Sequence, residues 1–460
     1  MRASLSELIQ ATGAEPIQTV SGNGLETVWG EGVSIDSRTI RPGEIFVAIR
    51  GRRYDGHHFI QEAVQKGASA IVAENAEKIP SLLPPSLPCL KVTDTQKALG
   101  DLASFHRNRF SLPLVAVTGS NGKTTTKELI AHLLSAQGQT LRNEGTQNNQ
   151  IGLPLTLFRL APSHAFCVLE LGMSRAGEIR RLSEISRPTA GAILNVAAAH
   201  LEFLGDLETV YRCKMELVAF LPKRAPLILN AEDRFLSKVR FPHLTCIRFG
   251  NGGDFFAQEI RLDKEGLRFK LNGREPVRIA LFGLHQVENC LAAIAACSAV
   301  GMPLTQILER LESFRSPPGR MEVMERGGVM FVHDAYNANP ESVSKALQSF
   351  GCFPVGGRRV FVLGDMLELG EESPRYHQEA GEEALRYGVD LFLTLGPLSL
   401  HAFSMAKTLG LKETFHFESH QELADCLKGT LREGDWVLIK GSRGMQMERI
   451  LEILEEPSNP

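Results

Sequence analysis

TGSNGKTTTKEL, residues 118–129, joins a glycine-containing turn to a lysine, three threonines and the start of a helical pattern. The general P-loop pattern is glycine, four residues, then Gly-Lys-Ser/Thr. This stretch misses it, because Val117 stands where the first glycine is required. What remains is Gly119, Ser120, Asn121, Gly122, Lys123, Thr124 and Thr125, with apolar LPLVAV before it and helix-spaced Leu129, Ile130, Leu133 and Leu134 after it. The spacing predicts strand, turn and helix in that order. In that setting small residues let backbone N–H groups approach an anion at a helix N-terminus, Lys123 adds positive charge, and the Thr124 hydroxyl can meet a magnesium ion. A nucleoside triphosphate is the expected ligand, and a surface turn that happens to carry Lys-Thr is the bland alternative.

Other polar residues stand where strands are expected to end. HAFCVLE delivers Glu170, TAGAILNV is followed four residues later by His200, and PLILN ends in Asn230. Ligands of open parallel sheets gather beyond the carboxyl ends of the strands. Glu170 and His200 are therefore expected beside the phosphates, where a hard cation needs oxygen or imidazole ligands; either residue alone also reads as a cap or surface group. Lys214 lies in LETVYRCKMELVAFL with Val210, Tyr211, Leu217 and Val218 at helical spacing around it, which puts it on the apolar face. Two accounts stand: a stem that packs while the ammonium snorkels to water, or a buried amine with a lowered pKa. NEGTQNNQIGLP, residues 143–154, reads by itself as a turn, although Thr146, Asn148 and Asn149 offer hydrogen bonds to a substrate. GLHQVEN puts His285 and Asn289 four apart at the head of an alanine-rich helix, where capping is the simple reading and a base or ribose contact the sharper one.

These residues need a scaffold, and the pattern around them is α/β. LPLVAV, HAFCVLEL, TAGAILNV and PLILN alternate with helical segments, the rhythm of a largely parallel sheet. Residues 256–281 interrupt it with QEIRL, LRFKL and PVRIAL joined by turn sequences, an expected antiparallel meander. After SPPGR, residues 316–320, RRVFVLGD, VDLFLTLG, TFHFE and DWVLIKGS again alternate with helices, so a second α/β domain is expected. Proline-rich PSLLPPSLP, residues 80–88, suggests an earlier boundary near residue 94. A chain of 460 residues exceeds one core and implies two to three domains. With 43% hydrophobic and 22% charged residues and a net charge of −3, nothing argues for nucleic acid or an anionic membrane. There is no run long enough for a membrane span and no signal-like N-terminus, so a cytoplasmic location is expected. The eight cysteines are scattered without a C-x-x-C pair, which favours reduced thiols, most of them in the core.

Taken together, DSRTIRPGEIFVAIRGRRYDGHHF, TGSNGKTTTKE, NNQIGLP, LELGMSRAGEI, NVAAAHLEFLG, YRCKMEL, GLHQVEN, PPGRMEV, DAYNANPESV, VLGDMLELG and IKGSRGMQME resemble the Mur ligase family, the ATP-dependent amide-forming enzymes of peptidoglycan precursor synthesis. The resemblance covers nearly the whole chain, and the glycine-turn variant is the one this family uses. It implies an α/β fold of three domains: residues 1–94 holding the UDP-substrate, a central P-loop ATPase-like parallel-sheet domain over 95–316, and a C-terminal Rossmann-like domain over 317–460 that takes the incoming dipeptide. ELGM…GEI, DAYNANP and LGDMLELG look like the branch that extends a tripeptide. The arginine-containing diaminopimelate motif of the neighbouring branch is not evident.

What the resemblance implies for single residues is specific. Gly119 to Thr125, with Lys123 and Thr124 foremost, would hold the ATP phosphates and a first magnesium; Glu170 and His200 would serve two metal sites. Lys214 matches the family lysine that takes up carbon dioxide as a carbamate, a ligand for the second magnesium. His285 and Asn289 would lie near the adenine, Arg320 near the phosphates, and Asp334, Tyr336 and Asn337 would add nucleotide contacts from the C-terminal domain. Ser37 and Arg38 match the segment that holds the uridine diphosphate. Gln286 stands where relatives often carry asparagine, and Phe282 where proline is frequent, so the adenine side departs from the family pattern. The implied reaction transfers phosphate to a carboxylate of UDP-N-acetylmuramoyl-tripeptide, after which the amine of D-alanyl-D-alanine displaces it; a monomer is expected. A sibling ligase with another acceptor, a related folate polyglutamate synthase, and a nucleotide-binding partner protein without turnover are the alternatives.

Overall fold

The computed structural model describes residues 1–18, 28–51, 53–74, 83–84, 86–263 and 265–455. Residues 80–82 and 85 of the proline-rich stretch, and Lys264 in the first meander turn, lie outside the described residues.

The strand Leu114–Thr118 sits in the middle of a six-stranded, wholly parallel sheet. Gln139–Arg142 and His164–Glu170 lie on one side of it, and Ala190–Ile193, Pro226–Asn230 and Thr245–Phe249 on the other. The chain therefore reverses its direction of sheet growth beside Leu114–Thr118, the point at which such sheets open a crevice for ligands. Alternation along that strand feeds two cores. Val115 and Val117 pack with the helices Lys123–Leu134 and Gln286–Ala299, while Leu114 and Ala116 pack under Glu178–Ser186 and Leu207–Met215. The edge strands Gln139–Arg142 and Thr245–Phe249 gave no strand signal in the sequence; each is short and fully buries a single residue, Leu141 and Phe249, as edge position allows.

The expected meander is present as Ala257–Asp263, Gly266–Leu271 and Glu275–Ile279, antiparallel throughout. Its second connection is the three residues Asn272 to Arg274, where Asn272 and Gly273 take φ of 51° and 72° and Arg274 N donates to Leu271 O, so the Asn-Gly pair makes the tight turn. The inner face of the meander, Leu267, Phe269, Leu271, Val277 and Ile279, closes over Gln286–Ala299. That helix is buried almost along its whole length, so its alanines serve close packing and only its N-terminal end reaches a ligand-sized space.

Ahead of the central sheet, a five-stranded sheet runs in the order Glu15–Gln18, Cys89–Lys91, Ala70–Ala73, Glu44–Val47, Gly32–Ser34, parallel except for its first strand. After Arg320 a second six-stranded sheet runs Glu322–Arg326, Val329–Asp334, Trp436–Lys440, Arg359–Gly364, Leu391–Leu395, Glu413–Phe417. Only its first pair is antiparallel, a hairpin that the sequence reading did not single out. The eight cysteines are unpaired and five are buried. Among the described residues no helix is long and apolar enough to cross a membrane.

Phe361 and Phe392 are register partners in the C-terminal sheet, fully buried, with rings stacked 5.2 Å apart. Phe361→Ala should lower the stability of this sheet by about 3–5 kcal/mol. Urea unfolding followed by Trp436 fluorescence measures it, and a midpoint equal to that of the unaltered chain would contradict this packing.

Candidate active site

The phosphate loop is shaped by its neighbours before any ligand is considered. Gly122 adopts φ 79°, and a Cβ there would run into Asn289 Oδ1, so both conformation and space require glycine. It stands at the N-cap of Lys123–Leu134 without a side-chain cap, which leaves the helix N-terminus open for an anion. Asn195, two residues beyond the strand Ala190–Ile193, grips the turn: its Oδ1 accepts from Asn121 N at 2.8 Å and its Nδ2 donates to Asn121 O at 3.2 Å. Ser120 Oγ donates to Ala197 O and accepts from Ala197 N. Lys123 Nζ curls back to donate to the carbonyls of Gly119 and Ser120, at 2.9 and 3.0 Å. Burial lowers its pKa, Glu170 opposes that change, and Arg320 adds to it.

Glu170 is the hub. Its backbone N–H donates to Asn143 Oδ1, its side-chain Oε1 accepts from Asn148 Nδ2 at 2.8 Å, and its Oε2 accepts from Thr124 Oγ1 at 2.9 Å. Asn143 Nδ2 returns a bond to Glu170 O, and Asn143 O accepts from the fully buried Lys127 Nζ at 2.6 Å. The loop read as a turn therefore orients the carboxylate through Asn143 and Asn148. Asn149 caps the next helix through its Oδ1, and Thr146 is an exposed turn residue outside the cavity.

His200 and Lys214 come to the same neighbourhood from different elements. His200 precedes Leu201–Leu204 with φ 58°, and its Nδ1 lies 2.6 Å from Glu368 Oε2 of the C-terminal domain, itself at φ 61°. Two non-glycine residues in the left-handed region on either side of one contact mark a place where tertiary structure overrides local preference. Burial lowers the His200 pKa, Glu368 raises it, and the nearby charges of Lys123 and Lys214 lower it. Lys214 is 2% exposed in Leu207–Met215, packed on the face with Val210, Leu217 and Val218. Desolvation first and Lys123 second push its pKa well below the ordinary lysine value, with Cys213 and Asp233 opposing. The snorkelling account fails on that burial. Neither Lys214 nor Thr124 lines the cavity surface itself; Thr124 is hydrogen-bonded to Glu170, which does, and Lys214 lies within the electrostatic reach of Lys123, which also does.

The C-terminal domain forms the opposite wall of a cavity of about 730 Å³. Arg320 donates from Nη2 to Thr124 Oγ1 at 3.0 Å while its guanidinium lies 3.9 Å over the Tyr336 ring. Asp334 accepts from the buried Lys440 Nζ at 2.6 Å and from Met321 N, and Lys440 also reaches the Asn337 carbonyl. The pair orients the loop that offers Tyr336 and Asn337 to the cavity. His285 is half-buried at the cavity wall with its unpartnered Nδ1 out of solvent, and desolvation brings its pKa down to about 4, so the ring is neutral at pH 7. Asn289 accepts from Thr126 Oγ1 and donates to Gln286 Oε1.

Ser37 and Arg38 are apart from this cavity. Ser37 Oγ donates to Glu62, and the 81% exposed Arg38 turns its fork onto Asp36, whose pKa falls to about 2 chiefly through those bonds. The residues that sequence reasoning missed are Asn143, Asn195, Glu368 and Lys440. A buried lysine ending the apolar strand Trp436–Lys440 was the one legible signal among them.

Residues 31–107 match the Mur ligase family, catalytic domain; residues 117–297 match the Mur ligase middle domain; and residues 319–443 match the Mur ligase, glutamate ligase domain. The UDP-N-acetylmuramoyl-tripeptide–D-alanyl-D-alanine ligase of Escherichia coli K12 is 37% identical over 437 residues, 93% of this chain and 94% of that protein. The enzyme of the same name from Bacillus subtilis is 31% identical over 460 residues, 99% of this chain and 98% of that one. A crystal structure of MurF from Acinetobacter baumannii superimposes with a TM-score of 0.89 at 30% identity, covering 99% of both chains. MurF ligase from Thermotoga maritima in complex with ADP gives 0.84 at 30% identity, covering 92% of this chain and 97% of that one. With every layer of the fold and every wall of the cavity inside these matches, the chain belongs to the Mur ligase family.

Proposed function

We propose that this chain is an ATP-dependent ligase that joins D-alanyl-D-alanine to UDP-N-acetylmuramoyl-tripeptide, releasing ADP and phosphate, in peptidoglycan precursor synthesis. The observation that carries the reading is the Thr124–Glu170–Arg320 cluster at an uncapped helix N-terminus inside an interdomain cavity, in a chain alike over its whole length to ligases of that name. The three domain units at 1–94, 95–316 and 317–460 then hold the uridine substrate, ATP and the acceptor in turn.

The nucleotide's phosphates lie on the backbone of Gly119 to Thr125, with Lys123 released from its two carbonyls to neutralise them. Arg320 approaches from the other domain, and its seat on Tyr336 limits the freedom it loses on doing so. Asp334 and Asn337 present the C-terminal loop to the nucleotide, and His285 and Asn289 serve the adenine side. Among the described residues no cluster of three or more His, Cys, Asp and Glu side chains forms a metal cage. Glu170 with Thr124 is instead the sparse oxygen set that magnesium completes with water and phosphate oxygens, so the residues fit that ion. Bound there, magnesium would offset the charge between the attacking carboxylate and the γ-phosphate. A second site would draw on His200 and Lys214, which must first become anionic. The lowered pKa favours the neutral amine of Lys214, the form that would add to the carbon of carbon dioxide, losing a proton to solvent and leaving a carbamate.

The carboxylate oxygen of the tripeptide then takes the γ-phosphoryl group, ADP leaves, and the dipeptide amine displaces phosphate to form the amide. Both steps gain from exclusion of water between the two domains. Ser37 and Arg38 hold the uridine diphosphate away from the reacting end, and Asn148 and Asn149 border the substrate path at the cavity wall, with Asn148 keeping Glu170 in line.

Phosphate release from ATP with magnesium should require both UDP-N-acetylmuramoyl-tripeptide and D-alanyl-D-alanine. Equal release with a single amino acid would assign the chain to a sibling branch, and none with any acceptor would favour the binding-protein reading. Lys214→Ala should lose activity that small carboxylic acids partly restore; full activity in the variant removes the carbamate. Gly122→Ala should weaken ADP binding at least about tenfold, because the added Cβ meets Asn289 and the left-handed backbone is strained. Titration calorimetry reads this directly, and unchanged affinity would contradict the loop geometry.

A further inference from the structure

Asn121 is the residue of the phosphate loop that both domains hold. Its backbone N–H and carbonyl are paired with the side chain of Asn195, inside the central domain. Its side-chain amide is taken up by the C-terminal domain: Nδ2 donates to Glu341 Oε2 at 3.0 Å, and Oδ1 accepts from Asn339 Nδ2 at 2.7 Å. Asn339 is the N-cap of Pro340–Gly351 and uses its own Oδ1 to accept from Ser342 N, so its amide is oriented by the capping box. The second oxygen of Glu341 is 3.1 Å from Lys345 Nζ, which also meets Glu288 of the central domain at 3.2 Å. Every donor in this series therefore has an acceptor, and the order of donors and acceptors is set from both ends.

The geometry points to an amide relay, Glu341–Asn121–Asn339, that ties the shape of the phosphate loop to docking of the C-terminal domain, with Asn339 and Glu341 as positioning residues for nucleotide binding and phosphoryl transfer. It rests on the ligase reading above and adds to it the link by which closure is felt at the phosphates. When the domains part, Asn121 loses both side-chain partners and keeps only its backbone bonds to Asn195. When they meet, the turn beside Gly122 and Lys123 is held at three points. Arg320 reaches Thr124 in the same arrangement, so the loop and its cation arrive together.

The polarity of the relay makes it testable without unfolding the helix. Asn339→Asp keeps the capping oxygen but replaces the donor with an acceptor, which sets oxygen against Asn121 Oδ1. Turning the Asn121 amide over would satisfy the carboxylate introduced by that substitution only by facing the Asn121 oxygen to Glu341; a further Glu341→Gln supplies the donor that this turned arrangement needs. In the full chain, Asn339→Asp should raise KM for ATP and Kd for ADP about tenfold, and Asn339→Asp with Glu341→Gln should return both to within about threefold of the unaltered protein. Glu341→Ala, which leaves the cap untouched, should weaken ADP several-fold and supplies the reading if Asn339→Asp folds poorly. Unchanged nucleotide binding in both single variants, or a double variant as weak as Asn339→Asp, overturns the relay. ADP affinity is independent of the acceptor, so failure of the ligase reading shows separately, as ADP binding without phosphate release in the unaltered chain.

Discussion

A carboxylate can stand at the buried end of a parallel strand only if its surroundings supply donors for it, and most of this site is the consequence of supplying them to Glu170. Asn148 and Thr124 provide those bonds, while Asn143 holds the backbone of Glu170, accepting from its N–H and donating to its carbonyl. Meeting that demand fixes the 143–152 loop against the sheet, aims the first turn of Lys123–Leu134 at the strand end, and gives Arg320 a hydroxyl to reach from the other domain. The cost of leaving any of these groups unpaired in a low-dielectric interior is what keeps the cluster together. An oxygen-rich point beside an anion-binding helix terminus is the chemical result.

The interface between the central and C-terminal domains combines polar and apolar contacts. It includes single hydrogen bonds and ion pairs from Asn121, Thr124, His200 and Glu288 to Asn339, Glu341, Arg320, Glu368 and Lys345, Leu284 N donating to Ser349 Oγ, and Phe282 packed beside Phe353 at the edge of the C-terminal core. Partly exposed polar contacts of this kind contribute little each and are exchanged readily with water. Lys214 lies on the other side of the balance. Burial among the apolar neighbours of Leu207–Met215 and the positive charge of Lys123 both push its amine toward the neutral form, the state in which a lysine is a nucleophile.

Residues whose roles follow from local patterning were legible in the sequence. The strand, turn and helix around Gly119 to Thr125 were readable from composition and period, as were the strand end at Glu170, the apolar setting of Lys214 and the Asn-Gly turn of the meander. The edge strands escaped because each is short and fully buries a single residue, Leu141 or Phe249, which is too little to show a two-residue period. Asn143 and Asn195 escaped because each acts by hydrogen-bonding a backbone that folding brings close, and an asparagine after a strand reads the same whether or not such a backbone arrives. The Asn148 side chain was expected to face substrate; its amide is spent on Glu170.

By itself the sequence determined the chemistry available and the elements that carry it: an α/β scaffold, a glycine turn opening a helix, a carboxylate at a strand end and a lysine withheld from water. Period, turn chemistry and burial act over a few residues, and so they are written locally. The tertiary structure alone decided which groups meet. Glu368 is 168 residues from His200, and Glu341 is 220 from Asn121, yet each pair shares a hydrogen bond. Such pairings depend on how one sheet docks against another, and no spacing along the chain encodes the direction in which two domains face each other.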